Sequence, residues 1–373
     1  MRWAVPIAAA TVIAAAVGTG PVIAAVSGEP VLPERTASQL LADAAAAVKK
    51  PGGPPAMSGT VRQTASLGLP ALPDMGGATP LSLLSGSHEV KVWYGSRDRL
   101  RLAMPTQMSE ANLIVNGDQT WYWDSGSNTA TKISFKGGQN PADHPEAVPT
   151  PTGLTPDRAA EKVLDQMGEH TAVSVSNTDE VAGRAVYQLV LAPKDAGSLV
   201  QEVRIALDGE TYVPLRVQVF AKGSAEPAFE VGFSQVTFTP PADENFAFTP
   251  PAGATVKEKV FGDASAKDRA EAEKAKDALS SVKVVGDSWT SVAVLPMTTA
   301  DLTGNGKDGE SHGEVSPQQT IDAVLKSATP VSGTWGSGKL ISTKLVTALI
   351  TDDGRLLVGA VTPEEITKAA GVK

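Results

Sequence analysis

The chain has 373 residues and a formal net charge of −9, with no cysteine and four histidines. The lack of cysteine excludes disulfides, thiolate nucleophiles, zinc–thiolate sites and iron–sulfur clusters, and the acidic balance argues against a nucleic-acid partner. The 35 glycines and 27 prolines suit turns between many short strands, and the length favours two domains of ordinary size.

The N-terminal segment predicts export. Residues 1–25 contain one arginine, an apolar run, a Gly-Thr-Gly-Pro interruption and small residues, which is the pattern of a signal peptide cleaved near Ala25. The alternative is an uncleaved anchor, because the apolar stretch approaches the roughly 20 residues that span a bilayer. We therefore expect an extracytoplasmic protein, secreted or periplasmic, which is either free or anchored by an uncleaved N-terminal helix.

Residues 36–50 predict a helix, because Leu40, Ala44 and Ala47 recur at helical spacing. Either Thr36 or Ser38 can cap its start. The sequence Pro-Gly-Gly-Pro at 51–54 ends it.

Strand-like runs follow almost without interruption as far as residue 256. Turn sequences such as Asn116-Gly117 separate them, and one further helix is predicted at 155–168. In the strands, leucines and valines alternate with arginines, so that one face of the sheet is dry and the other is wet. Two helices are too few to cover about ten strands, which predicts a curved sheet with an apolar hollow.

Two sets of strand residues are predicted to line this hollow. Those in the first half of the sheet are Val90, Val92, Leu100, Leu102, Leu113, Val115, Trp121 and Trp123. Those in the second half are Leu189, Leu191, Ile205, Val217, Phe229, Val231 and Phe233. For each of them the alternative is plain core packing.

The last third of the chain predicts a second unit. Residues 263–280 are rich in alanine and charge, which indicates a solvated connector helix at a domain boundary. Residues 281–373 predict a small C-terminal α+β domain. In it, the Asp353-Gly354 turn indicates a hairpin and Pro363 begins a short last helix.

The sequence shows no catalytic or metal-binding constellation. The four histidines lack metal-ligand spacing, and no Gly-x-Ser-x-Gly elbow is present. Residues 333–339 have the spacing of a phosphate-binding loop, but Leu340 stands where a Ser or Thr is required. We therefore expect a protein that is not an enzyme and uses no metal or cofactor.

The order of the elements resembles a known superfamily. The helix at 36–50 is followed by a strand ending in Trp93-Tyr94 and by the run LIVNGDQTWYW at 113–123. The run LDGETYVPLR at 207–216 comes next, and FAFTPPAG at 246–253 closes the series. Over residues 36–258 the chain thereby resembles the superfamily of the lipoprotein carrier LolA and the sigma-factor regulator RseB.

That resemblance implies a half-open antiparallel β-barrel with a helical lid, which holds acyl chains in its hollow. The leading hypothesis is an exported, non-enzymatic binder or carrier of lipid or lipoprotein acyl chains. The alternative is an RseB-like envelope regulator that senses lipid and binds a membrane-bound partner protein. A purely structural envelope protein with a solidly packed sheet is the third possibility.

Overall fold

The computed structural model describes residues 31–49, 53–68, 85–106, 108–135, 170–261, 282–297 and 325–372. The predicted signal peptide at 1–25, the helix at 155–168 and the connector at 263–280 lie outside these residues. Most of the described chain is β-strand, arranged in two sheets. Within the described ranges, no helix has the length and apolarity needed to cross a membrane.

The first helix, α1 (Ala37–Lys49), begins with a capping box. The backbone N–H of Gln39 donates to Thr36 Oγ1 at 3.2 Å, and the backbone N–H of Thr36 donates to Gln39 Oε1 at 2.9 Å. Of the two caps that the sequence allows, the structure therefore selects Thr36. Leu40 and Ala44 are buried in the core of the large sheet.

Twelve strands form the large sheet. They are β1 (Met57–Ser66), β2 (Ser85–Ser96), β3 (Arg99–Pro105), β4 (Glu110–Asn116), β5 (Gln119–Asp124), β6 (Thr129–Phe135), β7 (Thr171–Val181), β8 (Arg184–Pro193), β9 (Val200–Asp208), β10 (Pro214–Ala221), β11 (Pro227–Thr237) and β12 (Thr255–Phe261). Their spatial order is β12-β6-β5-β4-β3-β2-β1-β11-β10-β9-β8-β7.

This sheet is open, in keeping with the half-open barrel that the resemblance implies, but it is mixed rather than purely antiparallel. Among the described strands, β12 and β7 are the two edges and do not pair with each other. All neighbours are antiparallel except β12, which pairs in parallel with β6. The parallel pairing of β12 follows from residues 238–254, here called the crossing segment. They lead from β11 in the middle of the sheet to β12 at its edge.

Strand register confirms the predicted alternation. Val92 of β2 lies opposite Leu102 of β3, which lies opposite Leu113 of β4. Directly opposed residues of antiparallel strands point to the same face, so these side chains form one row. The arginines that alternate with them point to the other face, and the apolar side forms one large buried cluster.

The other face is only partly wet, which corrects the prediction of a single dry face. Its residue Ile114 is 1% exposed, and Phe246 of the crossing segment is also 1% exposed. The ring of Phe248 lies 5.6 Å from that of Trp121 and 6.1 Å from that of Trp123. The crossing segment thus covers this face over β3–β5.

The described part of the second unit contains six strands and a C-terminal helix. They are β13 (Lys283–Val285), β14 (Val292–Pro296), β15 (Thr329–Gly333), β16 (Gly336–Ser342), β17 (Thr347–Thr351), β18 (Arg355–Gly359) and α2 (Pro363–Ala370). The order of the strands is β13-β14-β18-β17-β16-β15. The predicted β17–β18 hairpin and last helix are confirmed. The segment with phosphate-loop spacing spans the turn of the β15–β16 hairpin and the first half of β16.

Backbone hydrogen bonds join the second unit to the first sheet and its adjoining loops at three positions. The backbone N–H of Leu199 donates to the carbonyl of Ala360, and that of Thr362 donates to the carbonyl of Gly197, both at 2.8 Å. The backbone N–H of Lys344 donates to the carbonyl of Leu67 at 2.7 Å. These bonds form an interface between the sheets.

Candidate functional site

Thirteen of the predicted lining residues lie on one face of the large sheet. Strand register places them on seven of the eight neighbouring strands from β4 to β8, with β1, which carries none of them, in the middle. They are Val90, Val92, Leu100, Leu102, Leu113, Val115, Leu189, Leu191, Ile205, Val217, Phe229, Val231 and Phe233. We call this surface the apolar face.

Trp121 and Trp123 do not lie on this face. Register pairs Trp121 with Ile114 and Trp123 with Asn112, which places both indoles on the opposite side of the sheet. The turn at Gly117 contains the signal that sequence reasoning missed. A two-residue turn sets Asn116 opposite Gln119, and counting back from this pair places Val115 opposite Thr120 rather than opposite a tryptophan.

The residues of β5 that do lie on this face add two hydroxyl groups to it. Thr120 is fully buried, and its hydroxyl has no hydrogen-bond partner among the described residues. Tyr122 lies opposite Leu113, and burial, followed by the charge of Asp124, raises the pKa of its phenol. The face is therefore amphipathic, with aliphatic side chains followed by two hydroxyl groups.

The apolar face is closed to solvent at most of its positions. Twelve of the thirteen side chains are at most 8% exposed, and Phe229 is half-buried. Helix α1 contributes part of the cover, because Leu40 and Ala44 belong to the same cluster and the helix contacts β7 and β8. A ligand that enters here has to displace side chains that are in contact with one another.

A second feature is a cleft of about 460 Å3 where β1, β2 and β11 meet. It is lined by Ser58, Gly59, Thr60, Lys91, Trp93, Ala182, Ser234, Gln235, Val236 and Thr237. No sequence pattern predicts this cleft, because its lining comes from segments that are far apart in the chain.

The charged groups with the closest contacts have structural roles. Asp208 is fully buried and accepts hydrogen bonds from Arg184, from the Thr211 hydroxyl and from the backbone N–H of Thr211. The hydrogen bond to Asp208 is the largest cause that raises the pKa of Arg184. Within the described ranges, no group of three or more His, Asp or Glu residues is arranged to hold a metal ion.

No family model and no curated protein matches the chain. Among solved structures, the MucA/MucB complex of Pseudomonas aeruginosa is 15% identical and has a TM-score of 0.39, covering 89% of this chain and 96% of that one. A crystal structure of MucB alone is 12% identical, with a TM-score of 0.38 and coverage of 90% and 96%.

A LolA superfamily protein from Nitrosomonas europaea is 11% identical, with a TM-score of 0.23 and coverage of 58% and 99%. The Nitrosomonas europaea protein is described as a member of the LolA superfamily, which is the superfamily that the sequence resembles. With TM-scores below 0.5, these likenesses assign no function to any residue of this chain.

Proposed function

We propose that this chain is an exported, non-enzymatic protein that binds an acyl chain of a lipid or lipoprotein against the apolar face of the large sheet. The observation that carries the proposal is the continuity of this face. Thirteen aliphatic or phenylalanine side chains lie on seven of the eight strands from β4 to β8, and the hydroxyls of Thr120 and Tyr122 lie beside them on β5. Such a surface matches a long hydrocarbon with a polar end.

Burial of an acyl chain on this face offers a large gross gain in free energy. Each methylene that leaves water contributes about 0.8 kcal/mol, so that a chain of 14 methylenes contributes roughly 11 kcal/mol. The cost of separating the packed side chains and of immobilising the ligand is subtracted from this. Because the face is closed, binding requires an open conformation, and the apparent affinity falls with the population of that conformation.

The first test is the lipid content of the protein. The purified full chain is extracted with organic solvent and the extract is analysed by mass spectrometry, while the extracted protein is titrated with a fluorescent fatty acid. We expect co-purified acyl species and saturable binding of the probe. Clean protein that also fails to bind the probe would show that the face is only a packed core.

The second test places the ligand on the face. We expect Val92→Phe, which adds volume at a position 3% exposed, to weaken binding of the probe by at least about tenfold, since it occupies the space of the acyl chain. Thr64→Phe is the matched control, because Thr64 is exposed on the opposite face. Full binding in the folded Val92→Phe variant would exclude this face as the site.

A second candidate function is that of an envelope regulator that binds a partner protein. The observation that favours it is the side of the second sheet turned away from α2, where Leu295, Leu356 and Val358 are only half-buried. MucB, which is similar in fold, has been solved in complex with MucA. If this candidate is correct, Leu356→Lys releases a protein that co-purifies with the wild type and leaves the acyl content unchanged.

A further inference from the structure

The cleft on the large sheet has a regular floor. Register sets Trp93, Ser58 and Thr237 side by side across β2, β1 and β11, and it sets Lys91, Thr60 and Gln235 side by side in the next row. All six side chains point to the face opposite the apolar face.

A register shift in the β1–β11 pair lies beside these rows. It falls between Thr60 and Val61, and there the hydroxyl of Ser234 donates to the carbonyl of Thr60 at 3.3 Å. The floor of the cleft therefore combines an indole, an ammonium group, several hydroxyls and an amide.

Lys91 is the cation that the cleft offers to a ligand. It has no carboxylate partner among the described residues, whereas its neighbour on this face, Arg62, is bound by both Nε and Nη2 to Glu89. Arg101 donates twice to Asn112 Oδ1, at 2.9 and 3.0 Å, and its guanidinium carbon lies 5.4 Å from the ring centre of Trp93. Among the described residues, Lys91 is thus a positive charge without a carboxylate partner beside the indole of Trp93, on a protein whose net charge is −9.

We propose that this cleft binds a sugar acid, which is a monosaccharide ring that carries hydroxyl groups and one carboxylate. The carboxylate pairs with Lys91, because a charge-assisted hydrogen bond is stronger than a hydrogen bond between neutral groups. The C–H side of the ring packs against Trp93, and the ring hydroxyls bond to the Ser, Thr and Gln side chains of the floor. The volume of about 460 Å3 falls within the usual range of small-ligand sites.

The proposal stands independently of acyl binding. The six floor side chains of the cleft and the thirteen side chains of the apolar face lie on opposite sides of the sheet, and no residue belongs to both sets. Loss of one activity therefore leaves the other testable.

The test is calorimetric titration of the full chain with two sugar acids, D-glucuronate and N-acetylneuraminate. N-acetylglucosamine serves as the uncharged sugar and acetate as the charge without a ring. We expect millimolar or tighter binding of at least one sugar acid, and binding of N-acetylglucosamine and acetate that is weaker by about tenfold or more.

Two variants assign the binding to the cleft. Lys91→Gln is expected to weaken sugar-acid binding by about tenfold, because it removes the charge and keeps a polar side chain. Lys132→Gln, on the same sheet but outside the cleft, is expected to leave the binding unchanged. The proposal is overturned if neither sugar acid binds, if acetate or the neutral sugar binds as tightly, or if the two variants behave alike.

Discussion

Asp208 is the most deeply buried charge that the structure describes with a direct ionic partner. Its side chain is 0% exposed and that of Arg184 is 18% exposed, with Arg184 Nη2 donating to Asp208 Oδ1 at 2.9 Å. The guanidinium also lies 4.7 Å above the ring of Phe238. This one arginine therefore connects the β8, β9 and post-β11 segments of the chain.

Removal of Arg184 is expected to destabilise the protein strongly. Arg184→Ala leaves the buried carboxylate of Asp208 without its counter-charge, which costs about 3 kcal/mol or more in the free energy of unfolding. Urea denaturation measures this loss. The control is Arg62→Ala, whose ion pair with Glu89 is about half exposed and should contribute less than about 1 kcal/mol. Equal losses in both variants would contradict a special role for Arg184.

Tyr122 gives the protein a predicted sensitivity to alkali. Its pKa is raised in the folded state, so above pH 10 the unfolded state releases this proton first and stability falls as the pH rises. Below pH 10 the phenol is neutral in both states and this effect is absent. We expect the stability of Tyr122→Phe to fall less steeply than that of the wild type between pH 10 and pH 12. Ultraviolet titration follows the ionisation of the tyrosines, four in the wild type and three in the variant. Identical pH profiles would contradict the prediction.

Helix α1 depends on a cap that can be tested at a single position. Thr36→Ala removes the side-chain acceptor of the Gln39 N–H and should lower the free energy of unfolding by about 1 kcal/mol. Ser38→Ala, in the first turn of the same helix, is the control and should change it little. The two variants are compared by thermal unfolding followed by circular dichroism. A larger effect of Ser38→Ala would mean that the helix begins later than the structure shows.

Strand alternation was predictable at the scale of single elements. The two-residue period of Leu100 and Leu102 against Arg99 and Arg101 depends only on local geometry, and it is found as predicted. The prediction for the β5 tryptophans is wrong, because strand register and not hydrophobicity decides which face they take. Indoles are apolar enough for either face, and the crossing segment offers Phe248 as their partner.

At the scale of the whole molecule, the interface between the sheets combines backbone bonds with buried side chains. Trp289 is 9% exposed and donates from Nε1 to Thr171 Oγ1 at 2.8 Å. Trp289 and Leu345 both belong to the core cluster of the large sheet. The two sheets therefore share buried apolar surface, which couples their unfolding.

Trp289→Phe tests this coupling. The variant keeps an aromatic ring but leaves the buried Thr171 hydroxyl without its donor, which should cost about 1–3 kcal/mol and should lower the midpoint of a single unfolding transition. Trp335→Phe is the matched control, since Trp335 packs within the second unit. Two separate transitions in the wild type, observed by fluorescence and by circular dichroism, would show that the sheets unfold independently.

The sequence alone determined most strands, helices α1 and α2, the β17–β18 hairpin and the shared face of thirteen apolar side chains. It could do so because hydrophobic period, caps and turns are local properties. Only the tertiary structure decided the parallel placement of β12 beside β6, the face of Trp121 and Trp123, and the cleft around Lys91 and Trp93. These features join residues that are distant in sequence. They depend on which strands pair and on what the crossing segment covers, and no local pattern encodes either.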